Sequence, residues 1–96
     1  MNIKIEENAK KSLDLMKRKY KNDLVKVING IKELREKGLE SSGIKNIGDG
    51  IYRKRVGRWR ILFTIDFLTM KIWIIKMEKD TKKDYDTWKK YILNKI

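Results

Sequence analysis

The chain has 96 residues, a formal net charge of +12, 41% apolar and 40% charged residues, and neither cysteine nor histidine. That length makes one domain, 1–96, with a limited core, and the apolar share argues against wholesale disorder. The missing cysteines exclude a disulfide framework or a thiolate metal site, which fits a reducing cytoplasm, and the missing histidines exclude imidazole acid–base catalysis and nearly exclude zinc. Apolar runs fall far short of the roughly 20 residues that cross a bilayer, and "MNIKIEENAKKSL" lacks the apolar stretch of a signal peptide. The expectation is a soluble cytoplasmic protein without cofactor or metal.

Residues 2–5, "NIKI", alternate polar and apolar and predict a short first strand. A helix follows from about Glu7, with Ala9, Leu13, Met16 and Tyr20 at helical spacing. "KYKND" is a break, and Asn22 or Asp23 is the expected N-cap of a second helix that runs to Lys37 and stops at Gly38. Its core face carries Leu24, Val27, Ile28, Ile31 and Leu34. With three glycines and two serines, "LESSGIKNIGDG" reads as a loop pinned to the body by Ile44 and Ile47. Three strands follow at about 50–56, 59–66 and 71–77, with turns at Gly57-Arg58 and around Thr69. Thr81 and Asp84 suggest a capping box for a last helix over about 82–95, whose Tyr85, Trp88 and Ile92 share one face. The fold class is α+β in the order β-α-α-β-β-β-α, an antiparallel sheet with helices packed on it.

Charge is uneven along the chain. Residues 1–50 carry 12 cationic and 8 anionic side chains, residues 51–96 carry 13 and 5. Lysine is the default cation, 19 of 25, yet four of the six arginines lie between Arg53 and Arg60. A cluster of forked, planar guanidinium groups in a lysine-rich chain points to phosphate recognition, hence nucleic acid before anionic membrane.

Strand parity sharpens that reading, because alternate residues point to opposite faces. Trp59, Ile61, Phe63 and Ile65 face the core with Tyr52 and Val56, so Arg53, Arg55 and Arg60 converge on the other, open face. There Arg60→Ala should cost within about 0.5 kcal/mol, as surface changes do. Parity sends Lys54 inward, where its stem would pack and its head snorkel to water.

These residues resemble the RelE/ParE superfamily of toxins from type II toxin–antitoxin systems, including its HigB-like branch. "GIYRKRVGRWRILFTID" is similar to the family's basic strand, turn and apolar strand, and "KMEKDTKKDYDTW" to its basic segment after the last core strand. The resemblance implies a basic toxin held inactive by an acidic antitoxin, cleaving mRNA on the ribosome in RelE-like members and inhibiting gyrase in ParE-like ones. By position, it makes Arg53, Arg55, Arg60, Lys82, Lys83 and Tyr85 the catalytic candidates. Arg60 matches the arginine that stabilises the reacting phosphate, and Tyr85 the base-stacking tyrosine. Lys54, Arg58, Lys76 and Lys79 are the further nucleic-acid contacts. The sequence departs from the family where Lys79-Asp80 replaces a His-Arg or Lys-Arg pair, and in having arginine at both positions of the basic strand pair.

Cleavage by internal attack needs a deprotonated 2′-OH, a neutralised pentacoordinate phosphate and a protonated 5′-oxygen. Convergent arginines suit the second requirement and cannot meet the first, because guanidinium stays protonated. A lysine could serve as base, and Lys76, Lys79, Lys82 and Lys83 stand as candidates; lowering such a group from about 10.4 to about 8 takes roughly 3.3 kcal/mol of repulsion from its neighbours. Two other readings stay open: a RelE-fold module that binds RNA, DNA or protein without cleavage, and a gyrase inhibitor. An acidic partner segment is expected to cover the basic face or the groove beside the helix over 82–95.

Overall fold

A computed structural model describes residues 1–77 and 82–96, the side chains of Lys82 and Lys83 excepted. Strand β1 (Asn2–Ile5) leads into helices α1 (Glu7–Lys19) and α2 (Lys21–Lys37). Strands β2 (Ile44–Gly48), β3 (Ile51–Val56), β4 (Trp59–Asp66) and β5 (Thr69–Met77) follow, then α3 (Lys82–Lys95). The five strands form one sheet in the order β1-β5-β4-β3-β2. β1 pairs in parallel with β5, and the other pairings among the described residues are antiparallel.

Both N-terminal helices form where apolar spacing requires. α1 buries Ala9 and Met16, and α2 buries Val27, Ile31 and Leu34. They cover one sheet face, where Trp59, Ile61, Phe63, Met70, Ile72 and Ile75 complete the main core. Tyr52, Val56 and Ile65 pack against it, as parity predicted. Gly38 ends α2 at φ +57°, a left-handed conformation that costs glycine nothing.

Three expectations are corrected. The break between α1 and α2 is Tyr20 alone, with no side-chain cap, and Asp23 lies inside α2. "LESSGIKNIGDG" is not all loop: it takes in the end of a short 3-10 turn, Gly38–Glu40, and the edge strand β2. Ile44 and Ile47 do pin it, one to each face, since three residues apart in a strand means opposite sides. The second sheet face is not open either. Ile51, Leu62, Trp73 and Ile74 form a second core there, sealed by Tyr85, Trp88 and Ile92 of α3. A bulge between Leu62 and Phe63 and the facing strand puts both Trp73 and Ile74 on that side. The caps at Thr81 lie outside the described residues.

Lys54 is also corrected. Its head does not reach water: the residue is 2% exposed on the α2 side. The ammonium donates to Glu33 Oε1 (2.7 Å), Ser41 Oγ (2.6 Å) and the Ser42 carbonyl (2.7 Å). Glu33 Oε1 also accepts from Ser41 Oγ and from the Ser42 N–H and hydroxyl. The Lys54 hydrogen bond, then those from Ser41 and Ser42, hold the Glu33 carboxyl far below its ordinary 4.5. A carboxyl lowered by folding stabilises fully above its unfolded value and loses that contribution as pH falls toward its folded one. The stability gap between the native chain and Glu33→Gln should therefore shrink as pH drops below 4.5. A gap that stayed constant in urea titrations down to strongly acidic pH would remove Glu33 from the account of acid unfolding.

Candidate nucleic-acid interface

The β3–β4 hairpin sorts its cations by strand parity. Arg55 pairs directly with Arg60 across the hairpin, and Arg60 with Lys76 on β5. One pleat away, Arg53 pairs with Lys45 on β2. With strands about 4.8 Å apart, these five cations span four strands on one side of the sheet, at the hairpin end of the second core. The predicted convergence of Arg53, Arg55 and Arg60 is thus present in the backbone register.

Their environments differ. Arg55 and Lys76 are exposed, Arg53 is half-buried, and Arg60 is 5% exposed. Arg60 Nη1 donates to the carbonyls of Gly57 and Trp59, both at 3.0 Å, which braces it against the turn. This overturns the expected surface environment of Arg60, and with it the small cost of truncation: two carbonyls would lose their donor, at about 1–3 kcal/mol.

Arg53 Nη1 donates to the Gly43 carbonyl at 2.9 Å, and the same oxygen accepts the Arg55 N–H at 3.0 Å. Gly43 permits this approach: at φ +74°, a Cβ there would lie 2.8 Å from the Arg55 carbonyl oxygen. Arg53 Nε is buried without a hydrogen-bond partner among the described residues, so this side chain has donor capacity that none of them uses. An anion seated over Arg53 and Arg55 would find forked donors and concentrated positive charge.

Two predicted contacts lie elsewhere. Lys54 sits on the opposite face with its ammonium fully engaged, so it does not join the cationic row. Arg58 turns toward the helix pair, bonding Asp23 Oδ2 through Nε and Nη2 at 2.8 Å and lying 5.3 Å over the Tyr20 ring. Trp59 Nε1–H donates to the same carboxylate oxygen at 2.9 Å. These bonds, from Trp59 first and Arg58 second, lower the pKa of Asp23. Arg58 borders a cavity of about 390 Å³ with Arg18, Lys19 and Lys21. Any contact it makes with nucleic acid belongs to that surface, not to the row.

Tyr85 lies in the first turns of α3, half-buried, its ring 5.8 Å from Trp88 in an edge-on pair. Both rings are half-buried and pack against the second core. Lys82 and Lys83 open α3, while Lys79 lies outside the described residues. Lys45 was missed. Its segment read as loop, and the signal that could have found it is the odd spacing of Ile44 and Ile47, which fits a strand buried on both sides. Among the described residues no three His, Cys, Asp or Glu side chains group as metal ligands, and no helix is long and apolar enough to cross a membrane.

No protein-family model matches the sequence, and no curated protein matches it. Solved structures do. The YoeB–YefM complex from Staphylococcus aureus is 22% identical with a TM-score of 0.69, over 82% of this chain and 98% of that one. A YoeB/ParE toxin from Agrobacterium tumefaciens is 12% identical with a TM-score of 0.72, over 82% and 100%. The archaeal RelE–RelB complex from Pyrococcus horikoshii OT3 is 19% identical with a TM-score of 0.66, over 83% and 97%.

Proposed function

We propose that this chain, which has the fold of the RelE/ParE toxins, is the toxin of a type II toxin–antitoxin pair and cleaves mRNA. The observation that carries the reading is the row Lys76–Arg60–Arg55, with Arg53 and Lys45 one pleat away, on a single side of the sheet. Arg55 and Arg60, opposite one another on adjacent strands, are suited to clamp the non-bridging oxygens of one phosphodiester. Bracing by the hairpin carbonyls means that Arg60 need not reorganise as charge develops, the condition under which fixed donors stabilise a transition state best. Attack by the neighbouring 2′-OH expels the 5′-oxygen and leaves a 2′,3′-cyclic phosphate. Lys76, Lys79, Lys82 and Lys83 remain the candidates for moving protons, and Tyr85 for stacking on a base at the edge of the site.

The likeness to complexes such as YoeB–YefM, whose second structure is described as a heterotetrameric toxin–antitoxin complex, supports a protein antitoxin as the partner. An acidic segment of that partner would neutralise the exposed Arg55, Lys76 and Lys45 and silence the site. The near-complete burial of Arg60 favours a second reading, a module that binds RNA without cutting it.

Induced expression in a bacterial host separates these. Growth arrest with discrete 5′ ends in primer extension on a reporter mRNA is the expected result. Arrest with DNA damage and intact mRNA would replace this reading with gyrase inhibition, and RNA retention without cuts would replace it with the binding module.

A further inference from the structure

The tip of the β3–β4 hairpin separates two basic surfaces. On the α3 side of the sheet Arg60, in the row, donates to the Gly57 carbonyl. Arg58, the other residue of the turn, reaches to the helix side and borders the cavity of about 390 Å³ at the α1–α2 junction. That volume lies in the range of pockets that hold small ligands. Among the described residues the cavity is bordered by the cations Arg18, Lys19, Lys21 and Arg58 against one acid, Asp23. That acid is already engaged, because one of its oxygens accepts from Arg58 Nε and Nη2 and from Trp59 Nε1. Helix formation accounts for Arg18 and Lys19, which close α1 where the dipole favours cations. It does not account for Lys21, which opens α2 where the dipole disfavours one.

Arg58 is held in place as a flat plate. Asp23 engages two of its N–H groups and the Tyr20 ring backs the guanidinium at 5.3 Å, yet 56% of the side chain stays exposed. Tyr20 is itself fixed edge-on to Trp59 at 5.6 Å. With that fork engaged, Arg58 offers the cavity a planar cation in a fixed position. Such a group suits the face of a nucleobase better than a phosphate. Arg18, Lys19 and Lys21, all exposed, supply the charge that a phosphate needs.

We infer that this cavity seats one nucleotide of the RNA strand away from the cleaved bond, its base stacked on Arg58 and its phosphate among Arg18, Lys19 and Lys21. Arg58 and Arg60 lie two residues apart, so their backbones are separated by about 7 Å at most. A single strand crossing the hairpin tip therefore meets the row on one face and the cavity on the other. Stacking tolerates any base, so the cavity adds affinity without choosing a sequence.

The inference rests on the proposed RNA binding but not on cleavage, so its test uses single-stranded RNA with every 2′-hydroxyl methylated, which can be bound and not cut. Each position in turn is made abasic. At one position the loss of the base should weaken binding to the native chain by about tenfold. Arg58→Lys keeps the charge and can still pair with Asp23 but loses the plane, and it should weaken binding to the intact RNA by the same factor. Combining the variant with that abasic RNA should cost no more than either alone, the mark of a shared contact. Lys19→Ala with Lys21→Ala should reduce the slope of log affinity against log salt by about 1.4, which reads the phosphate even if Arg58→Lys disturbs the fold. An Arg58→Lys chain with a native melting curve and native affinity overturns the inference, as does an unchanged salt slope in the double variant. Weakened binding of polyglutamate by Arg58→Lys, with RNA binding intact, overturns it in favour of an acidic protein segment. A native chain that cuts mRNA but shows no Arg58 effect loses this site and keeps the cleavage reading; Arg58-dependent binding without cutting does the reverse.

Discussion

Arg60→Lys should reduce mRNA cleavage by roughly 100-fold or more while RNA binding largely survives. The charge is kept; the fork is lost, and a lysine cannot present two parallel donors to a phosphate. Loss of one fixed donor to a developing oxyanion typically costs about 10²–10³ in rate. Single-turnover cleavage and equilibrium binding on the same oligonucleotide separate the two effects. Arg60→Ala should abolish cleavage too, with a stability cost of about 1–3 kcal/mol because the Gly57 and Trp59 carbonyls lose their donor. The lysine variant is therefore the cleaner probe. If it cuts as fast as the native chain, the fork has no role in the transition state.

Trp59→Ala, one residue away, should destabilise the protein severely. Trp59 is 4% exposed in the main core, its ring edge-on to Tyr20 at 5.6 Å and its N–H bonded to Asp23. Truncating a buried aromatic of this size costs roughly 3–5 kcal/mol. Small domains hold only about 5–15 kcal/mol in all, so a large share of the margin goes, and the melting temperature should fall by tens of degrees, at ~4–8 °C per kcal/mol. Trp59→Phe keeps the ring but loses the Asp23 bond, a change of about 1 kcal/mol. A Trp59→Ala chain with a native melting curve would show that the hairpin is not anchored to the helix pair.

Strong local periodicity was legible. The two N-terminal helices, the Gly38 stop and the placement of Trp59, Ile61 and Phe63 in the core follow from spacing alone, and the structure has them where spacing puts them. Parity also put the three arginines on one side of the sheet. What escaped the sequence was long-range. Strand β2 hid because Gly43, Gly48 and Gly50 dominate its surroundings, although Gly43 is there to let β2 approach Arg55 closely. Lys54 was expected to snorkel because parity alone sends it inward; its partner, Glu33, is 21 residues away on α2. Arg60 was expected at the surface because parity gives a side and not a depth. The carbonyls that brace it lie at the hairpin turn, which no single-strand pattern contains.

The central claim is attack by a 2′-hydroxyl on a phosphate held at the arginine row, and a single-nucleotide substitution in the RNA tests it most directly. The cut position is first mapped on a short mRNA bound to the ribosome. That one nucleotide is then replaced by its 2′-deoxy form, leaving every phosphate in place. Binding should be unchanged and cutting at that position should vanish, while the native substrate yields a fragment ending in 2′,3′-cyclic phosphate. Continued cutting of the deoxy substrate at the same bond would contradict internal attack, and with it the role assigned to the row.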